Sequence, residues 1–277
     1  MMTDDKMTPG GVSVRSRAIL KRWIVFVFLV QLAGFGIAQE SIKNTKTFIV
    51  GVSTIDYAPH YYMEDGRYVG FARDVLDLFA QKHGYEFQYK PRPYVRSVKE
   101  LLTGTTDFQY PDNPDWQNEQ KNGHTVFYSN GVIQYIDGII RRKEDIGKPV
   151  STLKRIAMPR GWTPVDYLPL IKNDELAIDE EDQVGGVINM LLRKRVDGCY
   201  LNIDAANYYS ETNKLTGQIG FDSNLPYQFS QYTLSSTSHP EMIREFNQFL
   251  VDSAAEILQI KARYKFKYDT DPKKKRK

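Results

Sequence analysis

The chain has 277 residues, with 37 basic and 34 acidic side chains, a formal net charge of +3 and one cysteine. Between residues 39 and 272 the counts are 27 basic and 32 acidic, a formal net charge of −5. This mildly acidic body argues against nucleic acid as a partner. The single cysteine excludes an internal disulfide, so a hydrophobic core must stabilise the fold.

The two ends of the chain are predicted to lie outside the folded body. Basic residues between positions 15 and 22 precede the apolar run WIVFVFLVQLAGFGIA, which ends in small residues at Ala38. This pattern predicts a secretory signal peptide over residues 1–38 and a periplasmic protein. An uncleaved membrane anchor is the alternative, although the run is shorter than the roughly 20 residues of a spanning helix. The last residues, 269–277, end in KKKRK and are predicted to be a basic, disordered tail.

The first half of the body alternates strand and helix patterns. Short apolar runs rich in β-branched and aromatic residues predict strands, and apolar residues at helical spacing followed by glycine predict helices. The order β-α-β-α-β predicts a parallel sheet with covering helices. The elements are a strand at 47–53, a turn at Asp65–Gly66, a helix from Phe71 to Gly84, a strand at 86–90, a helix ending at Gly104 and a strand at 107–110.

The second half repeats this organisation. A strand is predicted in GVIQYIDGIIRR, a strand and loop in RIAMPRGWT, and a helix through Val184, Val187, Ile188 and Leu191. Another strand in DGCYLNI precedes a helix, and terminal helices follow the strand SQYTLSS. Open parallel sheets bind ligands beyond the carboxyl ends of their strands. Two such sheets that face each other predict a cleft that closes over a small solute.

The order of these motifs resembles that of the bacterial extracellular solute-binding proteins of family 3, of polar-amino-acid type. The resemblance covers roughly residues 47–266 and begins with FIVGVSTIDYAPHYYMEDGRYVGFARDVLDLFAQKHGY. It continues with LLTGTTDF, FYSN, RKRVDGCYLNIDAANYY and the C-terminal HPEMIREFNQFL and IKARYK. Each motif is weak by itself, whereas their order and spacing are specific for the fold.

The resemblance implies an α/β, two-lobe periplasmic-binding-protein-like II fold. Each lobe has a mainly parallel sheet flanked by helices, and two hinge crossovers near 130–138 and 225–231 join the lobes. Lobe 1 is predicted to comprise residues 45–133 and 229–268, and lobe 2 residues 136–227. The implied ligand is a small molecule, and the implied partner is an ABC transporter permease or a sensor kinase. We expect a monomer without a cofactor or metal ion.

The chain departs from the family where an amino-acid ligand would be bound. The resemblance places an arginine for the ligand's α-carboxylate just after the third strand, because guanidinium pairs bidentately with carboxylate. The segment QYPDNPDWQNEQ contains no arginine and offers Tyr110, Asp112 and Trp116 instead. We expect these residues to form one wall of the cleft, with plain turn chemistry or a misaligned loop as the alternatives.

Lobe 2 offers a second wall. The family's ammonium-binding aspartate is matched by Asn202, with Asp204 two positions later as a substitute. The segment PRGWT resembles the family's loop at a helix N-terminus, where backbone amides meet an anionic group. Asp137 stands near the first crossover and is expected to line the hinge or contact the ligand. We therefore expect ligand contacts from the loop residues Arg160, Gly161, Trp162 and Thr163.

Aromatic residues complete the predicted site. Tyr57, Tyr61 and Tyr62 follow the first strand and are expected to stack on a flat or cationic ligand, or to pack between loop and lobe. Tyr94 and Arg96 open the second helix, and Arg96 resembles a family arginine that faces the cleft. A zwitterionic or polar solute and a cationic solute in an aromatic cage both remain open.

Three functions are consistent with these features. The first is an exported solute-binding protein that captures a small polar organic solute, amino-acid-like or related, for an ABC importer or a sensor. The second is an enzyme on the same fold, similar to cyclohexadienyl dehydratase, which would need a tuned acid–base pair that the sequence does not isolate. The third is a sensory ectodomain held by an uncleaved N-terminal helix.

Overall fold

A computed structural model of the chain describes residues 45–264 and Phe266. The predicted signal peptide, 1–38, and the predicted tail, 269–277, lie outside the described residues. None of the helices within 45–264 combines the length and the apolar character that crossing a membrane requires.

The first half of the chain builds one sheet. β1 pairs in parallel with β4 and with β5, as the alternation of strands and helices predicts. β2 and β3 form a small hairpin whose turn is the predicted Asp65–Gly66, with φ of 50° and 74°. The elements are β1 Lys46–Ser53, β2 Tyr62–Glu64, β3 Arg67–Val69, α1 Phe71–His83, β4 Tyr85–Arg92, α2 Tyr94–Leu102, β5 Phe108–Asp112, α3 Asn118–Lys121 and β6 Phe127–Tyr128.

Helix α1 illustrates how the apolar pattern sets this fold. Phe71, Val75 and Phe79 recur every four residues and are all fully buried, because one face of the helix packs on the sheet. The helix ends at Gly84, whose φ of 70° is the left-handed conformation that glycine adopts without strain. In α2 the apolar spacing predicts that Val95 shares an inner face with Val98 and Leu101, yet Val95 is 39% exposed. Tyr94 takes the buried position at the start of that helix instead.

The second half builds the other sheet. β8 pairs in parallel with β9 and β10, and β7 lies antiparallel to β10 and β11. The elements are β7 Ile133–Arg142, β8 Arg155–Pro159, α4 Leu168–Lys172, β9 Ala177–Glu181, α5 Val184–Leu192, β10 Gly198–Asn202, α6 Ile203–Thr212 and β11 Ile219–Phe221.

A long strand, β12 Tyr227–Ser236, joins the two sheets. Residues 227–232 of β12 pair with β7, whereas Thr233 and Ser235 pair with β5. The strands therefore form one hydrogen-bonded path, β4-β1-β5-β12-β7-β10-β8-β9. The chain then returns to the first sheet through α7 Pro240–Asp252 and α8 Ala254–Tyr264. β7 and β12 cover the segments in which the crossovers are predicted, and the lobe bounds stay a prediction.

A buried ion pair fixes the end of β5 to its neighbours. The carboxylate of Asp112 accepts hydrogen bonds from Lys121 Nζ at 2.7 Å, Tyr94 Oη at 2.8 Å and Ser235 Oγ at 2.6 Å. The Asn113 backbone N–H donates to the same carboxylate at 2.7 Å. Asp112 is fully buried and Lys121 is 7% exposed. This network ties α2, α3 and β12 to the exit of β5.

We predict that Lys121→Met lowers the free energy of unfolding by about 3 kcal/mol, because the substitution leaves a buried charge without its counter-ion. Urea unfolding of the mature protein measures the change. Lys99→Met serves as the control, since Lys99 is exposed and surface changes usually stay within about 0.5 kcal/mol. Equal losses in the two variants would contradict a stabilising role for the buried pair.

Candidate functional site

A pocket lies between the two sheets, near the point where β7 and β12 pair. Its walls bound about 430 Å³ of space free of protein atoms, a volume that includes open solvent. Both sheets contribute to the lining, which is mostly aromatic. The lining residues are Ser53, Tyr61, Tyr94, Pro111, Trp116, Asp137, Trp162, Thr163, Tyr200 and Tyr232.

The first sheet supplies one wall from its strand ends. Tyr61 follows β1, and Tyr94 begins α2 directly after β4. Trp116 follows β5 in the loop that the Asp112 network anchors. Tyr232 adds its ring from β12. These positions agree with the rule that open α/β sheets place ligand sites beyond the carboxyl ends of their strands.

The second sheet supplies the opposite wall. Asp137 stands in the middle of β7, opposite Asn202 of β10 and Gln228 of β12. Trp162 and Thr163 lie in the loop after β8, and Tyr200 lies on β10. Gly161 has a φ of 78°, a left-handed conformation that favours glycine, and thereby turns the chain into this loop.

The rings form a connected cage. Trp116 lies 5.7 Å from Tyr94, edge to face, and 5.8 Å from Tyr232, between ring centroids. Tyr232 stacks on Tyr135 at 4.2 Å. On the other wall, Trp162 meets Tyr57 edge to face at 4.8 Å. Aromatic faces of this kind attract cations and apolar groups.

The carboxyl group of Asp137 is the one acidic group among the lining residues. It is 3% exposed, and its Oδ1 atom has no hydrogen-bond donor. Burial raises its pKa from 3.8 to about 7, while a hydrogen bond from the Asn202 side chain acts in the opposite direction. Buried polar atoms of folded proteins nearly always have a partner, so the unpaired Oδ1 makes Asp137 a candidate ligand contact.

The described residues supply no counter-ion to this carboxylate. No lysine, arginine or histidine lines the pocket. Lys121 pairs with Asp112, and Arg160 pairs with Glu180 and Asp182 on the surface. When ionised, Asp137 is therefore the one charged group among the lining residues, and neutral aromatic rings surround it.

The two walls touch each other around the pocket. The Asn202 backbone N–H donates to Tyr57 Oη at 2.6 Å, and Gln117 Nε2 donates to the Gly161 carbonyl at 2.7 Å. A third bond joins the Asp56 backbone N–H to Gln183 Oε1 at 3.1 Å. These contacts connect the two sheets at positions distant in sequence, so the walls of the pocket are held against each other at three places.

The structure brings together six of the residues that the sequence nominates for the site. They line the pocket and are Tyr61, Tyr94, Trp116, Asp137, Trp162 and Thr163. Tyr57, Asp112, Gly161 and Asn202 lie behind the lining and hold it in place. Asn202 matches the family's ammonium-binding position, yet it caps α6, because its Oδ1 accepts the Asp204 and Ala205 backbone N–H groups.

The structure places the other nominated residues away from the pocket lining. Arg160 is exposed and is held by two acidic side chains, in place of the expected ligand contact. Arg96 is 66% exposed and pairs with Glu100 one helical turn away. Tyr62 and Asp204 line a separate surface groove. Tyr110 is buried beneath the first sheet's wall.

Four lining residues escaped the sequence analysis. Ser53 ends the predicted strand 47–53 and Pro111 directly follows the predicted strand 107–110, so the rule on strand ends would have nominated both. Tyr200 and Tyr232 sit inside strands, where a tyrosine normally indicates core packing. Their inclusion depends on β7 and β12 crossing between the sheets, which the hydrophobic pattern does not reveal.

A buried histidine supports the cage from behind. His60 is 1% exposed and packs 5.1 Å from Tyr232 and 6.2 Å from Tyr57, between ring centroids. Burial lowers the pKa of its imidazole to about 3, with a further lowering from Lys261. The ring is therefore neutral at physiological pH and adds no positive charge behind the pocket.

We predict that Asp137→Asn changes the pH dependence of stability. The folded state holds the Asp137 proton up to about pH 7, whereas the unfolded state releases it near pH 4. The free energy of unfolding of the unliganded native protein should therefore fall as the pH rises through this window. Relative to the native protein, the asparagine variant should gain on the order of 3 kcal/mol between pH 5 and 8.

Urea unfolding at a series of pH values measures this difference. Asp115→Asn is the matched control, because it removes a carboxylate that is exposed in the structure. Parallel stability curves for the native protein and Asp137→Asn would contradict a raised pKa at this position.

Solved structures with the same fold include several binding proteins. An ancestral arginine-binding protein bound to arginine has a TM-score of 0.66 at 19% identity, covering 79% of this chain and 98% of its own. A substrate-binding protein of an ABC uptake transporter from Streptococcus pneumoniae, with bound histidine, has a TM-score of 0.65 at 18% identity. The match covers 82% of this chain and 94% of that protein. A histidine kinase sensor domain similar to periplasmic binding proteins has a TM-score of 0.66 at 14% identity and covers 82% and 99%.

These likenesses confirm the predicted fold class, a periplasmic-binding-protein-like α/β fold. Among curated proteins, a search finds no match. The sequence model of bacterial extracellular solute-binding proteins, family 3, matches residues 49–267, which is most of the chain and nearly all of the described part. With the fold, the inter-sheet pocket and this match in agreement, the chain belongs to family 3 of the bacterial extracellular solute-binding proteins.

Proposed function

We propose that this protein is an exported solute-binding protein that captures a small polar organic solute, amino-acid-like or related. The solute would lie in the pocket between a first lobe, 45–133 with 229–268, and a second lobe, 136–227. The observation that carries the proposal is Asp137 Oδ1, a buried carboxylate oxygen without a donor in a pocket that both sheets line. A ligand that supplies the missing donor would remove the cost of burying that atom.

The composition of the pocket favours binding over catalysis. General acid–base chemistry needs two tuned groups within reach of one substrate. Among the lining residues, Asp137 is the one carboxyl group, and the other ionisable side chains are tyrosines whose pKa values burial raises. An enzyme similar to cyclohexadienyl dehydratase stays the alternative, and a test of turnover distinguishes it.

Lobe closure is the proposed way in which the protein takes up its solute. The wall contacts at Tyr57, Gln117 and Asp56 would break on opening, and the paired strands β7 and β12 would act as the hinge. Hinge motions of this kind need backbone changes at only a few residues. A solute that contacts both walls stabilises the closed form, because it binds that form better.

Two destinations for the bound solute follow from the fold neighbours. The Streptococcus pneumoniae protein serves an ABC uptake transporter, and the histidine kinase sensor domain belongs to a signalling protein. The predicted signal peptide supports export to the periplasm, and both an importer and a sensor fit that compartment. A sensory ectodomain on an uncleaved helix stays the alternative to a cleaved, freely diffusing protein.

A thermal-shift screen of the mature protein tests the proposal, with amino acids, amines, polyamines, sugars and prephenate as probes. A true ligand at about 100 times its dissociation constant should stabilise the fold by roughly 2.7 kcal/mol. Mass spectrometry of the ligand after incubation should show it unchanged. A converted ligand would indicate an enzyme, and a stable fold that no small solute stabilises would contradict the proposal.

Two variants sharpen the same screen. Trp162→Ala should weaken binding of the hit at least about tenfold, since it removes a ring from the pocket wall, a loss of about 1.4 kcal/mol. Arg160→Ala should leave the affinity unchanged, because its guanidinium is exposed and paired with acidic side chains. The reverse ranking would move the binding site towards the surface of the second sheet.

A further inference from the structure

We propose that the solute is an organic cation without a carboxylate, whose ammonium or guanidinium N–H donates to Asp137 Oδ1 while its carbon body lies between the rings. This inference rests on the proposed function, because it names the ligand class of the same pocket. It separates the two ligand classes, zwitterionic and cationic, that the sequence leaves open.

Two buried polar atoms of the pocket lack hydrogen-bond partners. Asp137 Oδ1 is a buried acceptor without a donor, and the hydroxyl of Tyr200, another lining residue, has no partner either. The neighbouring Asn202 side chain lowers the pKa of Asp137 through a hydrogen bond, yet Asp137 Oδ1 stays without a donor. Asn202 also caps α6 with its Oδ1 and donates from Nδ2 to Tyr232 Oη at 3.4 Å. Asp137 Oδ1 is therefore an acceptor that a donor on the solute would satisfy, and a charged N–H makes the strongest hydrogen bond with a carboxylate.

The pocket offers no positive charge to a carboxylate. An amino-acid carboxylate needs an arginine, a lysine or free backbone N–H groups. No basic side chain lines this pocket, and Lys121, a buried cation at the exit of β5, donates to Asp112 and to the Asn113 carbonyl. The Gly161 N–H, in the loop that the family resemblance nominates for an anion, is bound by Glu180 Oε1 at 2.8 Å. A carboxylate here would meet neutral hydroxyl donors, such as those of Thr163 and Tyr200, but no positive charge to offset its repulsion from Asp137.

The aromatic rings of the lining favour a cation. Six of the ten lining residues are tyrosine or tryptophan, and they come from both walls. A cation near the face of such rings is attracted by their quadrupole, and the attraction grows when water is excluded. A neutral sugar would stack on the same rings, but it would leave the charge of Asp137 without compensation.

Protonation of Asp137 competes with the binding of a cation. The groups that face Asp137 are two amides and five tyrosines, all neutral at physiological pH because burial raises the pKa values of the tyrosines. They are Asn202 and Tyr200 of β10, Tyr232 and Gln228 of β12, Tyr135 of β7, and Tyr57 and Tyr61 of the loop after β1. Since the pKa of Asp137 lies at about 7 without ligand, a cation binds the ionised form and competes with a proton. Its affinity should rise about tenfold between pH 6 and 8.

Matched pairs of an amine and its parent amino acid test the inference by calorimetry on the mature protein. The pairs are agmatine with arginine, histamine with histidine, and cadaverine with lysine, so that each pair differs in one carboxylate. We expect the amine to bind at least about tenfold more tightly than its amino acid in the pair whose size fits the pocket. Its dissociation constant should also fall between pH 6 and 8.

Variants connect this preference to the proposed contact. Asp137→Asn should weaken the best amine at least about thirtyfold and abolish the pH dependence, because the charge is lost while the shape is kept. Asp115→Asn removes an exposed carboxylate and should change neither. Urea unfolding of both variants shows that each remains folded. An unchanged amine affinity in Asp137→Asn would overturn the inference.

The remaining outcomes separate this inference from the proposed function. Tighter binding of the amino acids would overturn the cation assignment and leave the solute-binding function standing. If none of the six probes binds, the protein is incubated with a bacterial metabolite extract, and retained molecules are identified by mass spectrometry. A retained cation without a carboxylate supports the inference, and a retained carboxylate overturns it. No retained molecule at all would overturn the solute-binding function and this inference with it.

Discussion

The antiparallel pairing of β7 with β12, between residues 133–138 and 227–232, is the constraint on which the site depends. β12 continues beyond this ribbon to pair with β5, so the same strand belongs to both sheets. The ribbon places Asp137 and Tyr232 at the junction and brings the strand ends of both sheets to one place. Every lining residue reaches the pocket from this ribbon or from a segment at a strand end, except Tyr200 in the adjacent β10.

Most of the fold follows from local patterns in the sequence. Helix α1 is specified by Phe71, Val75 and Phe79 and by the stop at Gly84, and the strands around it alternate or run apolar as buried strands do. The sequence predicts the turn at Asp65–Gly66 but not the flanking strands β2 and β3, the two-residue strand β6 or the edge strand β11, because three residues or fewer give too short a pattern. Periodicity and the family resemblance thus predict the long elements of the fold. The short strands depend on tertiary contacts, which these patterns do not reveal.

The candidate site was only partly predictable, for a physical reason. Strand-end rules nominate Tyr61, Trp116, Trp162 and Thr163, because the fold brings such positions together. The charge of Arg160 alone does not reveal its partners, since the acidic side chains that bind its guanidinium lie 20 and 22 residues further along the chain. Whether a charged residue is free for a ligand depends on which partners the fold gives it. That information appears only when the distant segments are placed side by side.

A comparison of two buried aspartates shows how the fold distinguishes structure from function. Asp112 and Asp137 are both almost inaccessible, and both face tyrosines. Asp112 receives four donors, among them an ammonium group, so its charge stabilises the junction of β5 and β12. Asp137 has an oxygen with none, and its burial is therefore a cost that the unliganded protein bears. The same fold thus satisfies one buried carboxylate fully and leaves an oxygen of the other without a donor among aromatic side chains, and in our proposal the solute supplies that donor.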